Sequence, residues 1–254
     1  MTHLADEDRG TPFWRRIDWQ RAWLAPYRAD GEAVCAELEQ GADLRQVLSR
    51  LAMSRAIALA AGPLHFVPQA GLPEGEAYEA FIHRSACVPT RNNLHDFFNA
   101  LVWLRFGPIK RRLNELQAGQ IAQAGIGPTR GAVRDALTLF DENAALWEPT
   151  AAQADALRRR DWHALFVGQR SAWLQRPPIV FGHALLDKLV RPRKAITAHL
   201  CVLPQPVTAD WLAAKPFLPL PVLGVPGWWA ANESPGFYDD ASVFRPVPMR
   251  QSPP

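Results

Sequence analysis

Asn92, His95, Asp96 and Asn99 recur at i, i+3, i+4 and i+7, so on a helix of 3.6 residues per turn they share one face. Imidazole, carboxylate and amide are groups that move protons, hold divalent ions or orient the groups that do. A solvated face normally bears Lys and Glu instead. Leu94, Phe97, Phe98, Leu101, Val102 and Leu104 cover most of the remaining circumference. A polar stripe enclosed in this way is either the wall of a site or an internal network that satisfies itself. Gly182-His183 followed by Asp187 sets an imidazole and a carboxylate one turn apart on a short helix after a strand. Such a pair can ligate a metal or form a base with its orienting carboxylate, and it can equally be an N-terminal histidine beside a solvated aspartate. Asp141-Glu142 offers adjacent carboxylates, expected at a hairpin tip, where turn chemistry alone would account for them. If the three segments meet, His95, Asp96, Asp141, Glu142, His183 and Asp187 form a ligand set for a divalent metal that activates water. His95 or His183 is then the base or a ligand, with Asp96 and Asn99 orienting.

Arg91, Arg130 and Arg134 are the cations placed to hold an anionic substrate. The turn Gly127-Pro128-Thr129-Arg130-Gly131 has the donors of an anion-binding helix start. It lacks the spacing of a triphosphate-binding P-loop, and no G-x-S-x-G nucleophile elbow occurs. The His95-Asp96 dipeptide is similar to the metal-binding His-Asp dyad of phosphohydrolases, although the further His and Asp residues of that pattern, for which His65 or His83 would have to serve, do not match. Gly224-Val225-Pro226-Gly227-Trp228-Trp229 reads as a rigid connector that packs two indoles, with a stacking platform as its sharper alternative.

The elements that must position these residues follow from periodicity. Helices are predicted over 32–39, over 44–61 behind an Asp43 cap, and from Tyr78. Val88-Pro89 must be extended; Thr90 or Asn92 then caps a helix that stops at Gly107-Pro108, and Pro108 opens the next one, 109–124. Strands are predicted at 64–68, 136–140, 144–147, 179–181 and 196–203, with 136–147 a hairpin. Helices are predicted over 155–174, 184–190 and 208–215. Trp14, Trp19 and Trp23 dock the N-terminal segment, and the Pro- and aromatic-rich tail packs in an extended form to about Pro246. The expected fold class is α+β: one mostly helical domain over 1–254, helical to about 127, mixed over 128–215 with a small sheet of short strands, then the tail.

Composition narrows the class further. Hydrophobic residues at 48% and charged residues at 21% are globular values, and ten Trp with 23 Pro imply large buried surfaces and many fixed turns. No apolar run is long enough to span a bilayer, and the first ten residues are acidic rather than leader-like, so a soluble cytoplasmic protein without membrane association is expected. Cys35, Cys87 and Cys201 are isolated, which excludes a disulfide framework and a zinc knuckle and predicts buried thiols. Between Arg91 and Arg134, seven Lys/Arg face two acids, and Lys188, Arg191, Arg193 and Lys194 form a second basic cluster. Such surfaces attract nucleic acid or acidic partners, or are simply solvated.

The blocks VPTRNNLHDFFNALVWLRFGPIKRRLNELQ (88–117), TRGAVRDALTLFDENAALW (129–147), FGHALLDKL (181–189), PRKAITAHL (192–200) and LPVLGVPGWWAANESPGFYDDASVFRP (220–246) occur together and in this order. In them the chain resembles the bacterial family called domain of unknown function 3025. The resemblance implies a soluble bacterial protein and carries no activity with it; Asp187 departs from the family's pattern, where Glu is commoner. The residues themselves lead to the expectation of a hydrolase acting on a phosphate-containing or acidic small molecule through the His/Asp site, metal-assisted by a divalent ion. The alternative is a binding module whose basic middle contacts nucleic acid or an acidic partner. His95 and His183 decide between a composite site and a scaffold: they must meet.

Overall fold

The computed structural model describes residues 10–125 and 131–247. Two short 3-10 turns, Phe13–Arg16 and Ala22–Leu24, precede helices α1 (Arg28–Glu39) and α2 (Leu44–Ser54). A two-residue hairpin follows, β1 (Ala58–Leu59) and β2 (Gly62–Pro63), then β3 (His65–Pro68), α3 (Tyr78–Ser85), β4 (Cys87–Thr90) and the long α4 (Leu94–Ala124). The second half comprises α5 (Ala132–Asn143), β5 (Ala144–Trp147), α6 (Ala151–Arg159), a π-turn at Ala164–Gly168, α7 (Arg170–Gln175), β6 (Ile179–Val180), α8 (His183–Lys188), β7 (Thr197–Val202), α9 (Ala209–Ala213) and β8 (Leu218–Pro221). The fold is therefore mostly helical α+β, with small sheets of short strands. No helix among the described residues is long and apolar enough to cross a membrane.

The first half of α4 is the spine of the core. Phe97, Phe98, Ala100, Leu101, Val102 and Trp103 are all buried, so this segment is apolar on almost every side and must be wrapped by other elements. Phe13 and Trp19 contact Phe97 from the N-terminal segment, and Trp23 lies buried against Trp228. The expected docking of the N-terminal indoles is thus what forms, and the Gly-Pro-Gly connector packs Trp228 rather than presenting a platform. At Pro108 α4 bends. Phe106 leaves helical geometry (φ −126°, ψ 36°), because proline has no N–H and its ring displaces the carbonyl four residues earlier. That carbonyl, Leu104 O, instead accepts from Arg55 Nη1 at 3.3 Å, while Asp30 pairs with the same guanidinium.

Strands β6, β5, β7 and β8 form a four-stranded sheet in that order, with β5 and β7 parallel and the outer pairings antiparallel. Helix α8 packs against both α4 and α5. The turn from β6 into α8 passes so close to the end of α5 that a Cβ on Gly182 would lie 2.5 Å from Asn143 N and Glu142 O. Only glycine allows this approach.

Several expectations are corrected. Residues 136–147 are not a hairpin: Ala136, Leu137 and Phe140 are the buried stripe of helix α5, and the short alternation that suggests a strand is also consistent with a helix face. Strand β5 does form but pairs with β6 and β7. The helix from Asp43 ends at Ser54, not 61, and the one expected over 155–174 begins at 151 and breaks at Arg160. In both, a non-glycine residue takes the left-handed conformation, Ala56 at φ 51° and Arg160 at φ 51°, and the next N–H turns back to the carbonyl five residues before it, Ile57 to Ala52 and Asp161 to Ala156. Without a glycine, periodicity overruns the stop. Asn93, not Thr90 or Asn92, caps α4, accepting from Asp96 N at 2.8 Å. Helix α1 begins at Arg28 rather than 32. The tail is not purely extended, since β8 and three 3-10 turns interrupt it. The three cysteines are free; Cys201 is buried, and Cys35 and Cys87 only half-buried.

Gly182→Ala is expected to lower unfolding stability by about 2–3 kcal/mol, because backbone rather than a flexible side chain blocks the added methyl. Urea denaturation reads this directly; an unchanged midpoint would show that the β6–α8 turn can shift without cost.

Candidate functional site

Three segments converge: the first turn of α4, the last turn of α5 and the start of α8. The imidazole of His95, on the first turn of α4, and that of His183, the first residue of α8, approach with Nε2 atoms 3.1 Å apart and ring centroids 4.5 Å apart. Glu142, in the last turn of α5, places Oε1 3.8 Å from His183 Nε2. One ligand atom from each of His95, Glu142 and His183 lies within 4.8 Å of the others. Asp141 Oδ2 stands 3.6 Å from His183 Nδ1, an electrostatic contact longer than a hydrogen bond. Gly182 makes the meeting of α8 and α5 sterically allowed, so the glycine before His183 is part of the site's construction.

Behind this cluster sits a residue that sequence reasoning placed only in a basic surface. Lys110 is 4% exposed and donates from Nζ to Asp141 Oδ1 at 2.6 Å and to Asn99 Oδ1 at 2.8 Å. Its ammonium also lies 5.2 Å from the Trp103 ring centroid, a favourable distance for a cation over an aromatic face. Asn99 passes its other hydrogen bond to Tyr78 Oη at 3.1 Å. Burial opposes ionisation of Asp141, but the positive charge of Lys110 outweighs it and holds the carboxyl below its ordinary value. Burial also drives the His183 imidazolium out, lowering its pKa to about 4 against an attraction from Asp141. A neutral His183 with Nδ1 turned to Asp141 presents the Nε2 lone pair to His95 and Glu142.

Glu142 and one further carboxyl, Glu79, line the cavity over the histidines. Burial raises the pKa of Glu142 and of Glu79. Glu79 is held by Asn114 Nδ2 at 2.6 Å, and it lines both a cavity of about 300 Å³ over the histidines and a neighbouring one of about 610 Å³. Glu79 has no signal in the sequence, because the first turn of a helix is where helices favour carboxylates.

The other expected residues are placed differently. Asn92 precedes α4 and is exposed, so the stripe reduces to 95, 96 and 99. Asp96 is buried, but its carboxylate is committed to Arg91, accepting from the backbone N at 2.6 Å, Nε at 2.9 Å and Nη2 at 3.0 Å. The pair fastens the entry into α4 and leaves neither Asp96 free as a ligand nor Arg91 free as an anion holder. Asn99 is scaffolding for Lys110. Asp187 lines a separate cleft with Arg16, Leu94 and Arg191; burial raises its pKa, against the pull of His95. Asp141 and Glu142 reach the cluster from a helix end rather than a hairpin tip. Arg134 lines the larger cavity, while Arg130 lies outside the described residues. His65 and His83 are not in the cluster.

A family model described as a protein of unknown function, DUF3025, matches residues 64–215 and 205–248. The chain belongs to this family. The matched residues contain every member of the cluster, His95, Lys110, Asp141, Glu142 and His183, together with Glu79 and Arg134. No curated protein and no solved structure matches the chain.

Two measurements check the electrostatics in metal-free protein. Lys110→Met leaves the half-buried Asp141 carboxylate without its hydrogen-bonded cation and is expected to cost about 2–4 kcal/mol, with Asp141→Leu on top restoring part of it; equal stability of Lys110→Met and wild type in urea would refute the pairing. Because His183 titrates at about 4 in the fold and at its ordinary 6.5 when unfolded, its contribution to stability is complete above pH 6.5. It is lost as pH falls toward 4, where the unfolded chain binds the proton first. An NMR titration that finds the ring protonated at pH 6 would contradict this.

Proposed function

We propose that the protein is a metal-assisted hydrolase in which His95, His183 and Glu142 hold one divalent ion. The observation that carries the reading is the pair of Nε2 atoms 3.1 Å apart with a carboxylate oxygen beside them. Around an ion with metal–nitrogen bonds of about 2.0–2.1 Å, tetrahedral ligands sit roughly 3.3 Å from one another, so the two nitrogens already stand near ligand spacing. Three protein ligands and an open cavity above them are the arrangement of a catalytic rather than a structural ion. Asp141 behind His183 is the carboxylate that orients a ligating imidazole, and Lys110 keeps Asp141 ionised for that task.

The chemistry follows from the ion. Held by His95, His183 and Glu142, such an ion would supply a Lewis acid that lowers the pKa of a bound water and polarises a carbonyl or phosphoryl oxygen. Hydrolysis would then need a group to deliver the water's proton to the leaving group as its bond breaks. Glu79, a carboxyl of raised proton affinity facing the same space, is the carrier of that proton. With Arg91 committed to Asp96 and Lys110 to Asp141, the ion itself supplies the positive charge that draws an acidic or phosphate-containing substrate to the reacting end. The binding-module alternative has less support, since Arg91 and Lys110 face their own carboxylates and Arg111 and Arg112 share Glu115.

Purified protein dialysed against zinc or manganese is expected to retain one ion per chain by mass spectrometry, and His95→Ala and His183→Ala to retain none. Hydrolysis of p-nitrophenyl phosphate or acetate by the loaded protein should fall by about a hundredfold or more in Glu142→Gln. Glu79→Gln should lower kcat while leaving the ion in place. Folded variants that keep the ion and the activity would overturn the reading.

A further inference from the structure

The cavity of about 610 Å³ shares Tyr78, Glu79, Asp141 and Glu142 with the smaller one over the histidines, so a molecule lying in it can reach the reacting centre at one end. Its middle is walled by Trp103, Leu113 and Leu137. Arg134, Thr138 and Asp141 all line it; at i, i+4 and i+7 they share one face of α5, and Arg134 is two turns, about 10 Å along the axis, from Asp141. The two cations on this wall differ. Lys110 is neutralised by Asp141. The Nε of Arg134 is buried with no hydrogen-bond partner, and no carboxylate among the described residues pairs with its guanidinium. A buried donor without a partner is costly. An oxyanion offers acceptors matched to the planar fork of this guanidinium.

We infer that the larger cavity binds the non-reacting end of the substrate: a carboxylate or phosphate carried on an apolar spacer about 10 Å from the bond that is cleaved, received by Arg134. The inference rests on the hydrolase reading for what happens at the other end, and it defines the substrate class as a molecule with an anionic tail rather than a small free ester or phosphate. Binding energy from such a remote group positions the reacting bond.

The test is calorimetric titration of zinc-loaded protein with hydroxamates, whose chelating head takes the metal. A series with an apolar spacer ends in carboxylate, phosphonate or methyl, at spans bracketing about 10 Å. Expected is an affinity gain of about tenfold or more for an anionic over a methyl end at the matching span. The gain should be lost in Arg134→Gln, with acetohydroxamate binding equally to both proteins; whichever anion gains more names the tail. No gain, or a gain that survives Arg134→Gln, overturns the inference. If acetohydroxamate itself fails to bind, the metal reading fails separately. Octanoate binding to metal-free protein then decides the pocket: Arg134-dependent binding supports it, and its absence refutes it.

Discussion

An ammonium and a carboxylate removed from water together, at 4% exposure for Lys110, are stable only if each meets the other and their remaining valences are filled. Lys110 meets both Asp141 and Asn99, and Asn99 in turn meets Tyr78. This pair ties the second half of α4 to the end of α5 and to the start of α3, and it fixes the sign of charge beside His183. A buried ion pair is weak evidence for stability, since an apolar pair of the same size can do as well. What it sets here is local: an ionised Asp141 faces one nitrogen of His183, and the other nitrogen faces His95 and Glu142.

The bend in α4 makes the pair geometrically available. Pro108 breaks the hydrogen-bond ladder, Arg55 takes the freed Leu104 carbonyl, and Lys110 lies just beyond the break. The same long helix therefore contributes His95 from its first turn and Lys110 from beyond its kink. Gly182 has the corresponding role on the opposite side, since the absence of a side chain brings α8 against the last turn of α5. Proline and glycine act here as parts of the site although neither does chemistry.

Much of this was legible in the residues. The enclosed polar face of α4 singled out His95, and the Gly-His step after a strand singled out His183; both are local patterns, and local patterns survive folding. The mostly helical α+β class followed from periodicity in the same way. What failed needed information of longer range. Asp141-Glu142 does lie beside His183, but from a helix end and not from the expected hairpin, because Ala136 to Phe140 fits either period. Asp96 was given a chemical role that its local tie to Arg91 takes away, and Asp187 one that a separate cleft takes away. Lys110 could not be found at all, since a lysine in a basic run reads as surface until the kink and the partner carboxylate are known. Arg134 was picked out as an anion holder for its place in the chain, and only its missing partner separates it from the cations around it.

His95 and His183 are proposed as co-ligands of one ion. The optical spectrum of the protein titrated with cobalt(II) tests it most directly, because the d–d bands report coordination number and nitrogen ligation without reference to any substrate. One equivalent is expected to produce an intense, low-symmetry four- or five-coordinate spectrum, which collapses to that of the aqueous ion in His95→Ala and in His183→Ala. A spectrum of the aqueous ion in the wild-type protein, or one unchanged in both variants, would contradict it.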